Sequence, residues 1–236
     1  MTRHEPRKTG DTIRVSEDRK PVMSPGSPFN ALAAKYDSWY DGKGRFAFQS
    51  ELAAVRLLLD GLDRPWLEIG VGTGRFAQAL GIEHGLDPSE ELLKLARQRG
   101  VDVLWGEGEE TPYRAQSFGA VFLLTTWAFL EDRAAVLREC RRILRPGGRV
   151  INGWLDRDGA WTRGYVEKGK QEQSLFSRAR FATLEEVRID FEAAGFRVER
   201  VVSTLFLGPG ECDRVEEPKE GYKPGASFVA LRAVPT

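Results

Sequence analysis

The sequence predicts one doubly wound α/β domain, and three observations carry that prediction. Short apolar runs alternate with amphipathic helical patterns from about residue 65 to residue 195. One of those runs, Leu67–Ile69, leads through closely spaced glycines directly into a helix-like stretch. The length of 236 residues, with 41% hydrophobic and 30% charged residues, suits a single core under a solvated surface. The expected architecture is Rossmann-like: a mostly parallel, seven-stranded sheet with an antiparallel last strand, preceded by N-terminal helices.

Residues 1–28 are rich in charge, Pro, Ser and Gly and lack apolar periodicity, so they read as a disordered tail, with Met23 as an alternative start. The domain is expected over 29–236. Its first part, 29–61, reads as a helical cap. An aromatic stripe (Phe29, Tyr36, Trp39, Tyr40) covers 29–41, and Phe48, Leu52, Val55 and Leu59 share one face of a helix over 45–61. Strands follow at 65–69, 82–86, 101–105, 120–124 and 149–155. The helices between them begin at Arg75, at the N-cap residue Ser89, and at 132. The last of these, 132–145, turns Val136, Leu137, Cys140, Ile143 and Leu144 inward and stops at Pro146-Gly147-Gly148. Segment 156–181 is polar and irregular, and reads either as a lid over a substrate or as a surface connection. Thr183 opens a final helix with a Thr-x-x-Glu capping box to Glu186, Gly195 ends it, and strands near 196–206 and 226–232 flank a Gly/Pro/Glu-rich excursion.

The glycine segment carries the most chemistry. Leu67-Glu68-Ile69-Gly70-Val71-Gly72-Thr73-Gly74-Arg75 has the spacing G-x-G-x-G. A dinucleotide fingerprint requires G-x-G-x-x-G, and its third glycine would fall at Arg75. Glu68, two residues ahead of the first glycine, suits a ligand with an ammonium group and disfavours pyrophosphate. Asp87 ends the second strand, where a carboxylate can accept from both hydroxyls of a ribose; the alternative is a turn residue before Pro88. Glu107, between Gly106 and Gly108 after the third strand, can accept from an exocyclic amine. All three features follow the carboxyl ends of strands, where open α/β sheets bind ligands.

These segments resemble class I S-adenosylmethionine-dependent methyltransferases of the type 11 kind, related in pattern to ubiquinone and menaquinone methyltransferases. The matching pieces are LEIGVGTGRFA (67–77), GLDPSEELLKLAR (85–97), GEGEETPYRAQSFGAVF (106–122) and LRECRRILRPGGRVI (137–151). The opening YDSWYDGKGRFAFQSEL (36–52) is similar to an uncharacterised bacterial subgroup. The resemblance implies S-adenosylmethionine as cofactor. It places Glu68, Gly70, Gly72 and Gly74 at the methionine end, Asp87 on the ribose, and Pro88, Glu107 and Gly108 against the adenine. Thr125 would sit by the cofactor's amino group, and Tyr36 would close over it. Two positions depart from the pattern: Gly119 stands where an acidic residue is usual, and Glu107 where an Asp is usual.

A formal net charge of zero gives no general pull toward nucleic acid or an anionic membrane. Arginines 138, 141, 142, 145 and 149 read as a solvated helix face rather than a binding patch. Cys140 and Cys212 have no metal-ligand spacing and, with no secretory signal, read as reduced cytoplasmic thiols. The two histidines, His4 and His84, argue against a His-based phenol O-methyltransferase. Leu124-Thr125-Thr126-Trp127 lacks the N/D-P-P-Y/F motif of DNA and protein amide N-methylation. The sequence reading is therefore methyl transfer to a small-molecule acceptor, with RNA or protein methylation, or a non-catalytic cofactor-binding scaffold, as alternatives. Tyr36, Tyr40, Trp127, Trp154 and Trp161 are candidate pocket residues, each balanced against plain core packing. No catalytic base is assigned.

Overall fold

The computed structural model describes Val15, residues 29–170 and residues 175–236. The chain enters through a 3-10 turn (Asn30–Leu32), α1 (Ala33–Asp41) and α2 (Arg45–Arg56). It then alternates through β1 (Trp66–Ile69), α3 (Arg75–Leu80), β2 (His84–Asp87), α4 (Glu90–Gln98), β3 (Asp102–Trp105) and β4 (Phe118–Leu124). A 3-10 turn (Trp127–Phe129), α5 (Arg133–Ile143), β5 (Leu144–Leu155), α6 (Ala160–Gly169) and a further 3-10 turn (Leu175–Arg178) come next. The chain ends with α7 (Leu184–Ala193), β6 (Phe196–Thr204), β7 (Lys219–Glu220) and β8 (Phe228–Pro235).

Among the described residues the sheet has eight strands in the order β3-β2-β1-β4-β5-β8-β6-β7. The first five in that order pair in parallel, and β8 lies antiparallel between β5 and β6. The doubly wound sheet with a reversed last strand is therefore as expected. The eighth strand is the two-residue β7, paired with Val202 and Ser203 of β6 inside the Gly/Pro/Glu-rich excursion. Two exposed charged residues carry no alternation that a sequence pattern could register.

Side chains alternate across the sheet and divide the core in two. Trp66, Ala120, Phe122 and Ile151 pack under α2, α3 and α4. Leu67, Ile69, Val121, Leu123 and Val150 pack against α5 and α7. The caps fall where the sequence puts them. The Ser89 side chain accepts from Leu92 N–H, and Thr183 with Glu186 forms a complete capping box.

Segment 156–181 departs from its irregular reading, because it contains α6. Trp161 and Tyr165 stand one helical turn apart and point to the same core cluster. The second predicted helix ends at Arg56 rather than 61, as the chain breaks into turns before β1. The predicted disordered tail lies outside the described residues except for Val15, which forms an antiparallel bridge with Tyr113. Among the described residues no helix is long and apolar enough to cross a membrane.

Candidate active site

The strand order reverses between β1 and β4, and the chain opens a crevice there beyond the carboxyl ends of both strands. A small cavity of about 20 Å3 sits in it, lined by Tyr36 and Tyr40 of α1, by Glu68, by the loop from Gly70 to Thr73, by Arg75 and Phe76, and by Leu124 and Thr125. That is room for about one water molecule. A larger cavity of about 250 Å3, lined by Glu131, Asp132, Arg133, Arg180 and Asp190, contains none of the predicted residues.

The three loop glycines are present for different reasons. A Cβ on Gly74 would stand 2.9 Å from Ala96 Cα, so this glycine lets α4 close on the loop. A Cβ on Gly70 would strike Thr126 Oγ1. Gly72, at φ +52°, has nothing within 4 Å of the same position. The loop is tied down by Gly70 N–H and Val71 N–H, both donating to the Leu86 carbonyl (2.7 and 3.1 Å).

Asp87 also holds the loop. Its Oδ2 accepts from Gly72 N–H at 2.9 Å and its Oδ1 from Ser89 N–H at 2.8 Å. Burial pushes its carboxyl up to about 6, while those two hydrogen bonds favour the ionised form. Glu68 is 1% exposed, and its Oε2 has no hydrogen-bond partner among the described residues. Burial first, and then the nearby Asp87 charge, hold its carboxyl well above the usual range. Thr125 takes the left-handed conformation (φ 56°) and donates its N–H to the Gly153 carbonyl at 2.7 Å, at the cavity wall.

Pro88, Glu107 and Gly108 lie along the same sheet edge, outside the small cavity. The Pro88 carbonyl accepts from Trp105 Nε1, and Gly108 allows close packing against Ile69 and Val136. The departure at Gly119 has a steric cause, since a Cβ there would collide with the Asp63 carbonyl.

Helix α1 roofs the crevice. Tyr36 and Tyr40 share a hydroxyl–hydroxyl hydrogen bond of 2.7 Å, and burial raises the Tyr36 hydroxyl to about 12. The roof is clamped by Arg75, which donates to both carboxylate oxygens of Asp37 (2.9 and 2.8 Å) and to Asp41. Arg99 joins Asp37 to the Thr73 carbonyl. Burial would raise the Asp37 carboxyl, but hydrogen bonds from Arg75, Thr73 and Arg99 outweigh it and hold it at about 2.

The three candidate tryptophans are all buried. Trp127 and Trp154 are buried in the cluster on the α5/α7 side, Trp127 against Phe191 and Trp154 with its indole N–H on the Ala182 carbonyl. Trp127 follows β4 and Trp154 is the penultimate residue of β5, but both side chains pack in the α5/α7 cluster and line neither described cavity. Trp161 lies on the cavity side, buried against Trp39, with its N–H on the Leu207 carbonyl. It belongs to a closed circuit of ring contacts, 4.3 to 6.4 Å between centroids. The circuit joins α1 to α6 through Trp39 and Trp161, and returns through Tyr165, Phe176, Phe129 and Phe29 to Tyr36.

Two features around the site escape the sequence reading. The Arg75–Asp37 clamp joins residues far apart in the chain and leaves no local signal. Glu51 does leave one: a carboxylate one turn from both Phe48 and Val55, within the apolar stripe of α2. It is 5% exposed, and burial alone raises its carboxyl to about 8. The arginines near α5 are each engaged within the chain: Arg138 near Asp132, Arg141 on the Thr236 carbonyl, Arg142 on Glu139, Arg145 on the Arg64 carbonyl and Arg149 on Glu199.

A reversed-last-strand α/β sheet with this loop at its switch point defines a nucleoside-binding class, and comparison with known proteins specifies it. Residues 67–152 match the model of a methyltransferase domain. A crystal structure from Thermotoga maritima, described as a SAM-dependent methyltransferase and possible histamine N-methyltransferase, is similar at 39% identity and TM-score 0.82. The match covers 88% of this chain and 97% of that one. An uncharacterised protein of Mycobacterium tuberculosis is 43% identical over 94% of this chain and 78% of its own length. A demethylmenaquinone methyltransferase of Thermotoga maritima is 32% identical over 41% of this chain and 46% of its own length. The chain belongs to the class I S-adenosylmethionine-dependent methyltransferases, and S-adenosylmethionine is its cofactor.

The residues present fit that group. A buried carboxylate oxygen without a partner at Glu68, unfilled space over Gly72, and a strand-end carboxylate at Asp87 match an ammonium, a closely approaching chain and a ribose.

Proposed function

We propose that the enzyme methylates a small-molecule acceptor, with the cofactor held by the predicted set. Glu68 and the loop of Gly70, Gly72 and Gly74 would take the methionine end. Asp87 would take the ribose, and Pro88, Glu107 and Gly108 would take the adenine. Thr125 and Tyr36 would close the methionine side. Bound there, the cofactor supplies an activated methyl group, so the chain's own residues need only orient the acceptor and exclude water.

The observation that carries the small-acceptor reading is the roof. The crevice is covered by α1, whose Tyr36 and Tyr40 line it, and ring contacts tie α1 to Trp161 and Tyr165 of α6, a cover that favours a compact acceptor over a polymer. The test offers radiolabelled cofactor to the purified protein with fractionated metabolites, total RNA and total protein. Label should enter the metabolite fraction, and label confined to RNA or protein refutes the reading. S-adenosylhomocysteine should raise the melting temperature by mass action and NAD should not.

A further inference from the structure

The space under the roof is far smaller than what it has to hold. Between Tyr36 and Tyr40 above and Glu68 and the loop Gly70–Thr73 below, it measures about 20 Å3. Small-molecule sites run to roughly 300 Å3 or more, and even the amino-acid end of S-adenosylmethionine is several times larger than a water molecule. Part of the wall has to move. The floor is the ends of β1 and β4 in the middle of the sheet, so the movable part is the roof.

Residues 29–41 continue into α2 through Gly42-Lys43-Gly44. A Cβ on Gly44 would stand 2.3 Å from the Trp39 ring, so a glycine there lets α1 fold back on α2. Away from this junction, one carboxylate holds the roof to the cofactor loop. Asp37 accepts from Arg75 Nε at 2.9 Å and Nη2 at 2.8 Å, and from Arg99 Nη2 at 2.8 Å. Arg75 is the first residue of α3, directly after Gly74, and also donates to Asp41. Arg99 reaches back to the Thr73 carbonyl at 2.8 Å, and among the described residues Asp37 is its only ion-pair partner. One side chain of the roof thus fixes Thr73 and Arg75, on either side of Gly74.

We propose that Asp37 is a positioning residue that couples the roof to the cofactor loop: residues 29–41 swing about Gly42–Gly44 to admit the cofactor, and Asp37 then locks them down and sets the loop against its methionine end. This rests on the placement of the cofactor under α1 argued above. Opening breaks the bidentate pair with Arg75 and leaves two guanidiniums gathered where their carboxylate was. The open roof is therefore the minor state, and its rate of opening limits both entry and exit.

Rapid filtration of the full chain with radiolabelled S-adenosylmethionine tests this, with an unlabelled chase for dissociation. Equilibrium binding is measured first; its absence refutes the cofactor placement and this proposal with it, whereas the remaining outcomes bear on the proposal alone. In the wild type the association rate should level off as ligand concentration rises. A rate that stays proportional to ligand, or binding complete within the mixing time, overturns the gate. Asp37→Asn keeps the size of the side chain and loses its charge, so the plateau and the dissociation rate should each rise about tenfold or more. Rates within twofold of the wild type overturn the proposal whatever the melting temperature, because they would leave Asp37 a structural brace. Gly44→Ala pushes a methyl against Trp39 with the Asp37 latch intact and should raise both rates independently. Unchanged rates in Gly44→Ala refute the hinge. The wild-type plateau and the Gly44→Ala arm keep the test decisive if Asp37→Asn folds poorly.

Discussion

Gly72→Ala and Gly74→Ala should separate ligand space from packing within a single loop. Both glycines have left-handed φ values, +52° and +79°, so an alanine at either position costs about 1–2 kcal/mol in backbone energy. At Gly72 nothing else is lost, because the added methyl meets no atom within 4 Å. In a domain of this size that corresponds to a drop in melting temperature of a few degrees, at roughly 2–4 °C per kcal/mol. At Gly74 the methyl would stand 2.9 Å from Ala96 Cα and 3.0 Å from its Cβ, atoms fixed in α4. Overpacking of this kind adds roughly 1–3 kcal/mol, so Gly74→Ala should melt clearly lower. Cofactor affinity should follow the opposite order. The Gly72 methyl enters the open space beside the cavity, and at ~1.4 kcal/mol per decade even a modest clash there costs tenfold in Kd. Melting curves without ligand and calorimetric titration with S-adenosylhomocysteine give both quantities. If Gly72→Ala binds like the wild type, the cofactor does not approach the loop at that point and the reading of the loop is wrong.

Asp87→Ala should lower both cofactor affinity and stability. The carboxylate has backbone partners at Gly72 and Ser89, and leaving such buried donors unpaired costs roughly 1–3 kcal/mol each. Loss of the ribose contact should weaken binding by about tenfold or more, and a variant that only melts lower would leave Asp87 as a loop brace. Stability without ligand should fall as pH rises from about 4.5 toward 8. Glu51 has a folded value of about 8 against 4.5 in the open chain, so the folded protein binds more protons across that window. Its contribution is complete below 4.5 and is lost as pH climbs through 8, at up to ~1.4 kcal/mol per pH unit. Denaturant melts from pH 5 to 9 should show the slope, and Glu51→Gln should reduce it, leaving the part due to Glu68 and Asp87; an unchanged slope in the variant would mean that Glu51 is solvated.

The sequence by itself determined the parts that depend on near neighbours in the chain. Strand–helix alternation gave the sheet and its direction of winding. The G-x-G-x-G spacing with Glu68 disfavoured the dinucleotide loop, and Ser89 and Thr183 capped their helices through bonds to residues three positions on. Only the tertiary structure decided which side of the sheet each aromatic residue serves. Trp127 follows β4 and Trp154 stands near the end of β5, at the ligand edge, yet a turn after β4 and the alternation within β5 send them into the α5/α7 core. The structure likewise decided that α1 is pinned over the crevice, because Asp37 meets Arg75 and Arg99 only when the roof is in place. Glu51 lies between these cases. Its place in an apolar stripe was legible, but the depth of its burial was not, since that depends on what packs over α2 once the chain is folded.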